Sequence, residues 1–403
     1  MATPTNHVHE MQGLYGPFTI AERVVQKIWL RRDFAIHDAT LVDGRKLEIR
    51  SPGAWNLLGG PDFRGARLRL GDGVEVTGDI EVHFHASDWR AHAHEADRAY
   101  DRVVLHVVMF PPSAGERPAV RGDGSELPTL VLLPLLHRSL EEYASDDALE
   151  NITERDATER IAELLKLPEG ELRRILLKKA GERWSQKRRF AALRIEKLGW
   201  SAAAHQTALE ILGYRLNRAA MLAVAASQPL EAWVAGLDVD AVFGDRVGQW
   251  QLQGVRPANH PRLRLLQYRA WVEQRPDWPE VLGQIVPTAG AGIAPASETL
   301  QARKQLAMAD LREKFSRELM GGAIGGSRLD TLVCDGLLPL AAIKSGRDLS
   351  PTWFHWYLGD VPAEIRRALR ETGIAGQSAT PFCHGWGQGL LGWLLEREAR
   401  ASG

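Results

Sequence analysis

Polar and apolar positions alternate with period two over residues 74–85. There Ile80, Val82 and Phe84 interleave with Glu81, His83 and His85, which predicts a strand with one apolar face and one face carrying polar chemistry. Residues 66–70 form a partner strand, and Gly71-Asp72-Gly73 between the two is a hairpin signal. Upstream, Ile20, Val24, Val25, Ile28 and Trp29 recur at helical spacing behind Thr19, predicting a helix over 19–31 with Thr19 as its N-cap. Residues 46–50 read as a short strand ended by Ser51-Pro52-Gly53. Residues 87–101 read as a helix capped by Ser87 or Asp88. The nearly unbroken apolar run 103–109 predicts a central strand buried on both sides. A loop follows to Pro128, and 129–133 predicts a last strand.

Beyond Pro134 helical periodicity takes over, with helices expected at 154–166, 169–198, 201–212, 217–226, 263–274, 301–320 and 362–371. The pattern therefore predicts an α+β protein: an N-terminal α/β domain over 1–135 and an α-helical domain over 136–403. Residues 283–297 are the best internal loop or linker.

Composition narrows the partners. The 403 residues are 44% hydrophobic and 25% charged, with 50 basic against 51 acidic side chains. That suits a globular protein with no global attraction to nucleic acid, so any basic surface must be local. Two cysteines, Cys334 and Cys383, argue against a disulfide framework and fit a reducing cytoplasm. No signal peptide and no apolar run of membrane length is expected, so the protein is expected to be cytoplasmic with no membrane partner. There is no P-loop, dinucleotide fingerprint or nucleophile elbow.

The chemistry concentrates between Lys46 and Phe110. Asp62 lies in a Gly-Pro-Asp turn, and Glu81-Val82-His83 lies on the alternating strand. Phosphodiester hydrolysis needs oxygen ligands for Mg²⁺ or Mn²⁺ and a group that orients or deprotonates water. Asp62 and Glu81, with the Val82 carbonyl, suit the metal. His83 suits the water, and Glu22 on the first helix is a further carboxylate. The order helix–three strands–helix–strand, with Pro61-Asp62 and Glu81-Val82-His83, resembles the PD-(D/E)XK nuclease superfamily, whose Asp opens the second strand and whose Glu-X-Lys lies on the third. Histidine stands here where lysine is usual, and a near-neutral imidazole can act as base or ligand. The resemblance implies a restriction-endonuclease-like core and a metal-dependent nuclease or related phosphodiesterase. A catalytically inactive nuclease-fold scaffold that binds nucleic acid or protein is the alternative.

At a finer level SPGAWNLLGGPDF (51–63), GDIEVHFHASDWRAHAHEADRAYDRVVLHVV (78–108), GYRLNRAAMLAVA (213–225) and RPANHPRLRLLQYRAWV (256–272) resemble the bacterial domain-of-unknown-function family 2851. Its members commonly carry a cysteine-rich segment before a final glycine-containing helix. Here that region reads PFCHGWGQGLLGWLLE (381–396), with Cys383 alone.

A weaker alternative is a zinc hydrolase built on His83, His85 and one of His92 and His94. On one continuous helix the last two would point about 200° apart, so both could not face one ion without distortion. Asp88 reads as a cap or an additional ligand. Asp97 and Asp101, four apart, would share a helix face with the cluster or with solvent. His106 reads as a hydrogen-bonded core histidine, and Trp89 and Tyr100 as packing residues. A candidate surface for DNA or RNA is the run 171–190, where Arg173, Arg174, Lys178, Lys179, Arg183, Lys187, Arg188 and Arg189 could line a phosphate-binding stripe with Trp184 available to stack. A solvated helix face is the competing reading.

Overall fold

A computed structural model describes residues 10–11, 20–113, 115–151, 154–246, 248–285, 293–361 and 363–401. The chain is mixed α and β, with a curled sheet in its N-terminal part and helices beyond. It divides into two compact units, Met1–Asp147 and Ala148–Gly403. The division falls inside a helix. Within the first unit that helix's Tyr143 hydroxyl donates to the Asp33 carbonyl at 2.7 Å, and Arg138 pairs with the Asp33 carboxylate at 3.0 Å.

In the first unit, helix α1 (Glu22–Arg31) buries Val24, Val25, Ile28 and Trp29. The expected Thr19 cap lies outside the described residues. Six strands follow: β1 (Leu47–Ser51), β2 (Ala54–Trp55), β3 (Phe63–Leu70), β4 (Glu75–His83), β5 (Val103–Val108) and β6 (Thr129–Val131). The sheet runs β1-β3-β4-β5-β6, with β2 paired to β3. β3 runs antiparallel to both β1 and β4, and β5 and β6 join β4 in parallel. Helix α1 packs on β4.

Two local features depart from the periodicity and decide the site. The first is a bulge in the hairpin. Ala66 pairs with Gly78, but Phe63 pairs with Ile80, so one extra residue sits on β3. Gly65 absorbs it at φ 66°, and its amide donates to Asp79 at 3.0 Å. A regular ladder would set Asp62 opposite Val82, on the apolar face. The bulge sets it level with Glu81, because a one-residue slip exchanges the faces. The second feature replaces the helix expected over 87–101. A short α2 (Asp88–Ala91) ends, Ala93 takes a left-handed φ of 55°, and 3-10 turns follow at His94–Ala96 and Arg98–Tyr100. The polar face of β4 is consequently covered: Glu81 is 5% and His83 1% exposed, no more than a core residue.

The second unit is helical. It begins with α3 (Leu140–Asn151), shared across the division, then α4 (Glu154–Leu164), α5 (Glu169–Leu198), α6 (Trp200–Leu212) and α7 (Tyr214–Ser227). The apolar faces of α4 to α7 join one core with Trp233, Trp271, Trp278, Trp353 and Trp356. The helix expected over 301–320 is broken: Ala307 is left-handed between Thr299–Gln305 and Met308–Lys314, and a π turn spans Phe315–Leu319. The expected loop 283–297 lies partly outside the described residues; its first positions end the helix Trp278–Gln284. Periodicity missed the helix His384–Ala401, whose glycines interrupt the apolar pattern. Among the described residues no helix is long and apolar enough to cross a membrane.

Candidate metal centre

The carboxylates of Asp62 and Glu81 are interlocked across the bulged hairpin. The Asp62 amide donates to Glu81 Oε2 at 3.0 Å, and the Val82 amide donates to Asp62 Oδ2 at 3.0 Å. Gln26, one turn beyond Glu22 on α1, donates to Asp62 Oδ1 at 2.8 Å and accepts from Trp55 Nε1 at 3.3 Å. Asn56 holds the turn itself. Its amide donates to the Asp62 carbonyl, and its side chain donates to the carbonyls of Gly59 and Pro61. Gln26, Trp55 and Asn56 escaped the sequence reading. The one available signal was the four-residue spacing of Gln26 from Glu22, which puts both on one helix face.

Glu22 belongs to the same electrostatic group. Burial raises its pKa to about 9, helped by the negative charges of Asp62, Glu81 and Asp88. Burial raises Glu81 to about 8, and burial with the Glu81 charge holds Asp62 well above the usual carboxylate range. Among the described residues, no lysine or arginine pairs with any of the three. The group is therefore an uncompensated cluster of acids, which is what a divalent cation neutralises.

The histidines meet on the other side of Glu81. His83 Nε2 lies 3.5 Å and His94 Nε2 3.4 Å from Glu81 Oε1. His83 Nε2 lies 3.1 Å from His92 Nδ1, and His83 Nδ1 lies 2.9 Å from His106 Nε2. His83, His92 and His94 offer ligand atoms all within 4.8 Å of one another. The expectation that His92 and His94 cannot face one ion is thus corrected. It assumed an unbroken helix, and the left-handed Ala93 removes the rotation. Burial lowers His94 to about 4 and His106 to about 3, keeping both rings neutral at neutral pH. Tyr100 stacks on His94 at 3.8 Å between centroids, and Trp89 meets it edge-on at 5.2 Å. Both act in packing, fixing the ring.

Other candidates are placed elsewhere. His85 lies past the end of β4, exposed and stacked on Phe110; the strand alternation that would have put it beside His83 stops first. Asp88 accepts from the His85 amide at 2.9 Å and adds charge near Glu22. Asp97 and Asp101 are exposed at the two ends of the Arg98–Tyr100 3-10 turn rather than on one helix face, and Asp97 caps that turn through the Ala99 amide. Val82 presents its amide to Asp62.

In the second unit the basic run is divided by the packing of α5. Trp184 is 5% exposed and lies against Trp353, so it is core and offers no stacking face. Lys187 pairs with Asp335 at 2.7 Å, Lys179 with Glu182 and Glu396, and Arg173 with Glu169. Arg183 donates to Gln388. Arg174, Lys178, Arg188 and Arg189 are exposed.

A family model described as a protein of unknown function, DUF2851, matches residues 22–238. This span holds the whole acid and histidine cluster and the α5 run. No curated protein and no solved structure matches the chain.

Proposed function

We propose that this chain, which belongs to the DUF2851 family, is a metal-dependent phosphodiester hydrolase acting on nucleic acid. The observation that carries the reading is the interlocked Asp62–Glu81 pair, with Glu22 beside it and, among the described residues, no lysine or arginine paired to them. The donor set is hard oxygen, which suits Mg²⁺ or Mn²⁺. Asp62, Glu81 and Glu22 would hold the ion, whose charge would offset that developing on the phosphate. Asp62 is kept in place by Gln26, the Val82 amide and the Asn56 turn, so the ligand geometry is preorganised. His83 is held between His106 and the half-buried His92, so the imidazole pair has a route for a proton from water toward solvent. The placement of Asp62 immediately before β3 and of Glu81 on β4 supports a PD-(D/E)XK-like core. The exposed Arg174, Lys178, Arg188 and Arg189 supply local positive charge for a phosphate backbone.

The purified chain, stripped with chelator, is expected to cleave single- or double-stranded DNA or RNA when Mg²⁺ or Mn²⁺ is restored, and to be silent in chelator. Absence of cleavage on all these substrates with either metal would overturn the reading. The scaffold alternative draws on His83, whose ring nitrogens are both engaged where a lysine ammonium is usual. It would be favoured by binding of those nucleic acids without cleavage.

A further inference from the structure

The imidazoles beside Glu81 are a poor match to the ion that suits Asp62 and Glu22. Magnesium prefers oxygen, whereas imidazole nitrogen suits zinc and its neighbours. In a tetrahedral site with metal–ligand bonds of about 2.0–2.1 Å, ligand atoms lie roughly 3.3 Å apart. Three separations here are close to that: 3.1 Å for His83 Nε2 to His92 Nδ1, 3.5 Å for His83 Nε2 to Glu81 Oε1, and 3.4 Å for His94 Nε2 to Glu81 Oε1; the three imidazoles as a set lie within a looser 4.8 Å of one another, with Glu81 beside them. Glu81 Oε2 is occupied by the Asp62 amide, so Oε1 is the oxygen turned to the rings. A second, independent observation is His94 itself. Its ring is 8% exposed, and its Nε2 is buried without a hydrogen bond while aimed into this group. Its polar neighbour Glu81 Oε1, at 3.4 Å, makes no hydrogen bond with it, and a buried nitrogen left so is costly unless something binds it.

We propose that His83, His92 and His94, with Glu81 as fourth ligand, form a site for zinc or a neighbouring divalent transition ion. The supporting shell is in place. His106 sits at 2.9 Å on the far nitrogen of His83, where an outer partner fixes tautomer and ring orientation. Tyr100 and Trp89 clamp His94 from its face and edge. The left-handed Ala93 is strained for a residue with a side chain, and it is the turn that delivers His92 and His94 to one point. The site deepens the hydrolytic reading, since Glu81 would be shared between an oxygen-lined and an imidazole-lined position, but it stands without it.

The test uses the full chain, stripped with chelator and titrated with Zn²⁺ by calorimetry. Zinc-loaded wild type is then examined by X-ray absorption. Wild type is expected to take up one tight equivalent with three imidazoles around the metal. His92→Ala and His94→Ala should each weaken it more than about 100-fold, beyond the 10–100-fold loss typical of an outer partner, and that smaller loss is expected for His106→Asn. His85→Ala should bind like wild type. No tight equivalent, a metal bound by fewer than two imidazoles, or unchanged affinity in His92→Ala and His94→Ala would overturn the proposal. The absorption measurement needs no variant, so a variant that fails to fold leaves it decisive. Zinc uptake without nucleic-acid cleavage would support the site while counting against the hydrolase. Mg²⁺- or Mn²⁺-dependent cleavage without zinc uptake would do the reverse.

Discussion

Glu81→Gln is expected to lower metal-dependent cleavage by on the order of 10³-fold, the several kcal/mol that a metal-held charge contributes, while making the metal-free protein more stable at alkaline pH. The two effects share a cause. Among the described residues Glu81 and Glu22 pair with no lysine or arginine, and burial raises their pKa values to about 8 and about 9. A raised carboxyl pKa means that the folded state still holds a proton that the unfolded chain lost near its ordinary value. Stability from these groups is therefore present at pH 4.5 and below, and falls as pH rises toward 8 or 9. Gln carries no charge and removes that dependence. It keeps an oxygen for the Asp62 amide and turns an NH₂ toward the imidazole nitrogens. Thermal melts in chelator should lie closest together for wild type and Glu81→Gln at about pH 4, below the ordinary carboxyl value. By pH 9 the variant should lead by at least about 1 kcal/mol, roughly 3 °C. Glu22→Gln, which loses no hydrogen bond, should show the same widening gap. Added Mn²⁺ should close it by stabilising wild type alone. A gap that stays constant from pH 5 to pH 9 would mean that burial does not hold these acids protonated in the folded chain.

Asp62, Glu81 and His83 were legible because a turn and a period-two strand each announce themselves over a few residues. What assembled them was not. The bulge that brings Asp62 level with Glu81 depends on where Gly65 slips in the ladder, and the sequence pattern of β3 and β4 fits the unbulged register equally well. The approach of His92 to His94 depends on one left-handed alanine, a conformation that residue type disfavours. Gln26 and Asn56 are polar residues of the kind that usually face solvent, so their hold on Asp62 shows only in three dimensions. In the helical unit, α5 was legible to its ends because thirty residues of periodicity outlast local noise. Which of its faces is covered depends on partners far along the chain, 148 residues away in the case of Lys187 and Asp335. That is why Trp184 and Lys187, read as surface, are engaged by Trp353 and Asp335.

That partner face gives the second large effect. Gly389→Ala is expected to destabilise the helical unit, although alanine in a helix is ordinarily better than glycine by about 1 kcal/mol. The helix His384–Ala401 runs against α5 with glycines at the contact. A Cβ built on Gly389 would stand 2.3 Å from the carbonyl oxygen of Leu176, and one on Gly385 would stand 2.1 Å from the Phe354 ring. The first obstacle is backbone, which cannot swing aside as a side chain can. The helices must separate, and the core behind them, which includes Leu176, Leu390 and Leu394, must loosen. Overpacking of this kind costs about 1–3 kcal/mol, occasionally more. The comparison that isolates the contact is Gly181→Ala on α5 itself, where nothing lies within 4 Å of the new methyl. That change should raise stability by roughly 0.5–1 kcal/mol. Denaturant melts of the two variants should therefore move in opposite directions from wild type. If Gly389→Ala instead gains stability like Gly181→Ala, the two helices do not pack at the distance that leaves Arg183 in reach of Gln388, and the division of the basic run into inward and outward cations fails with it.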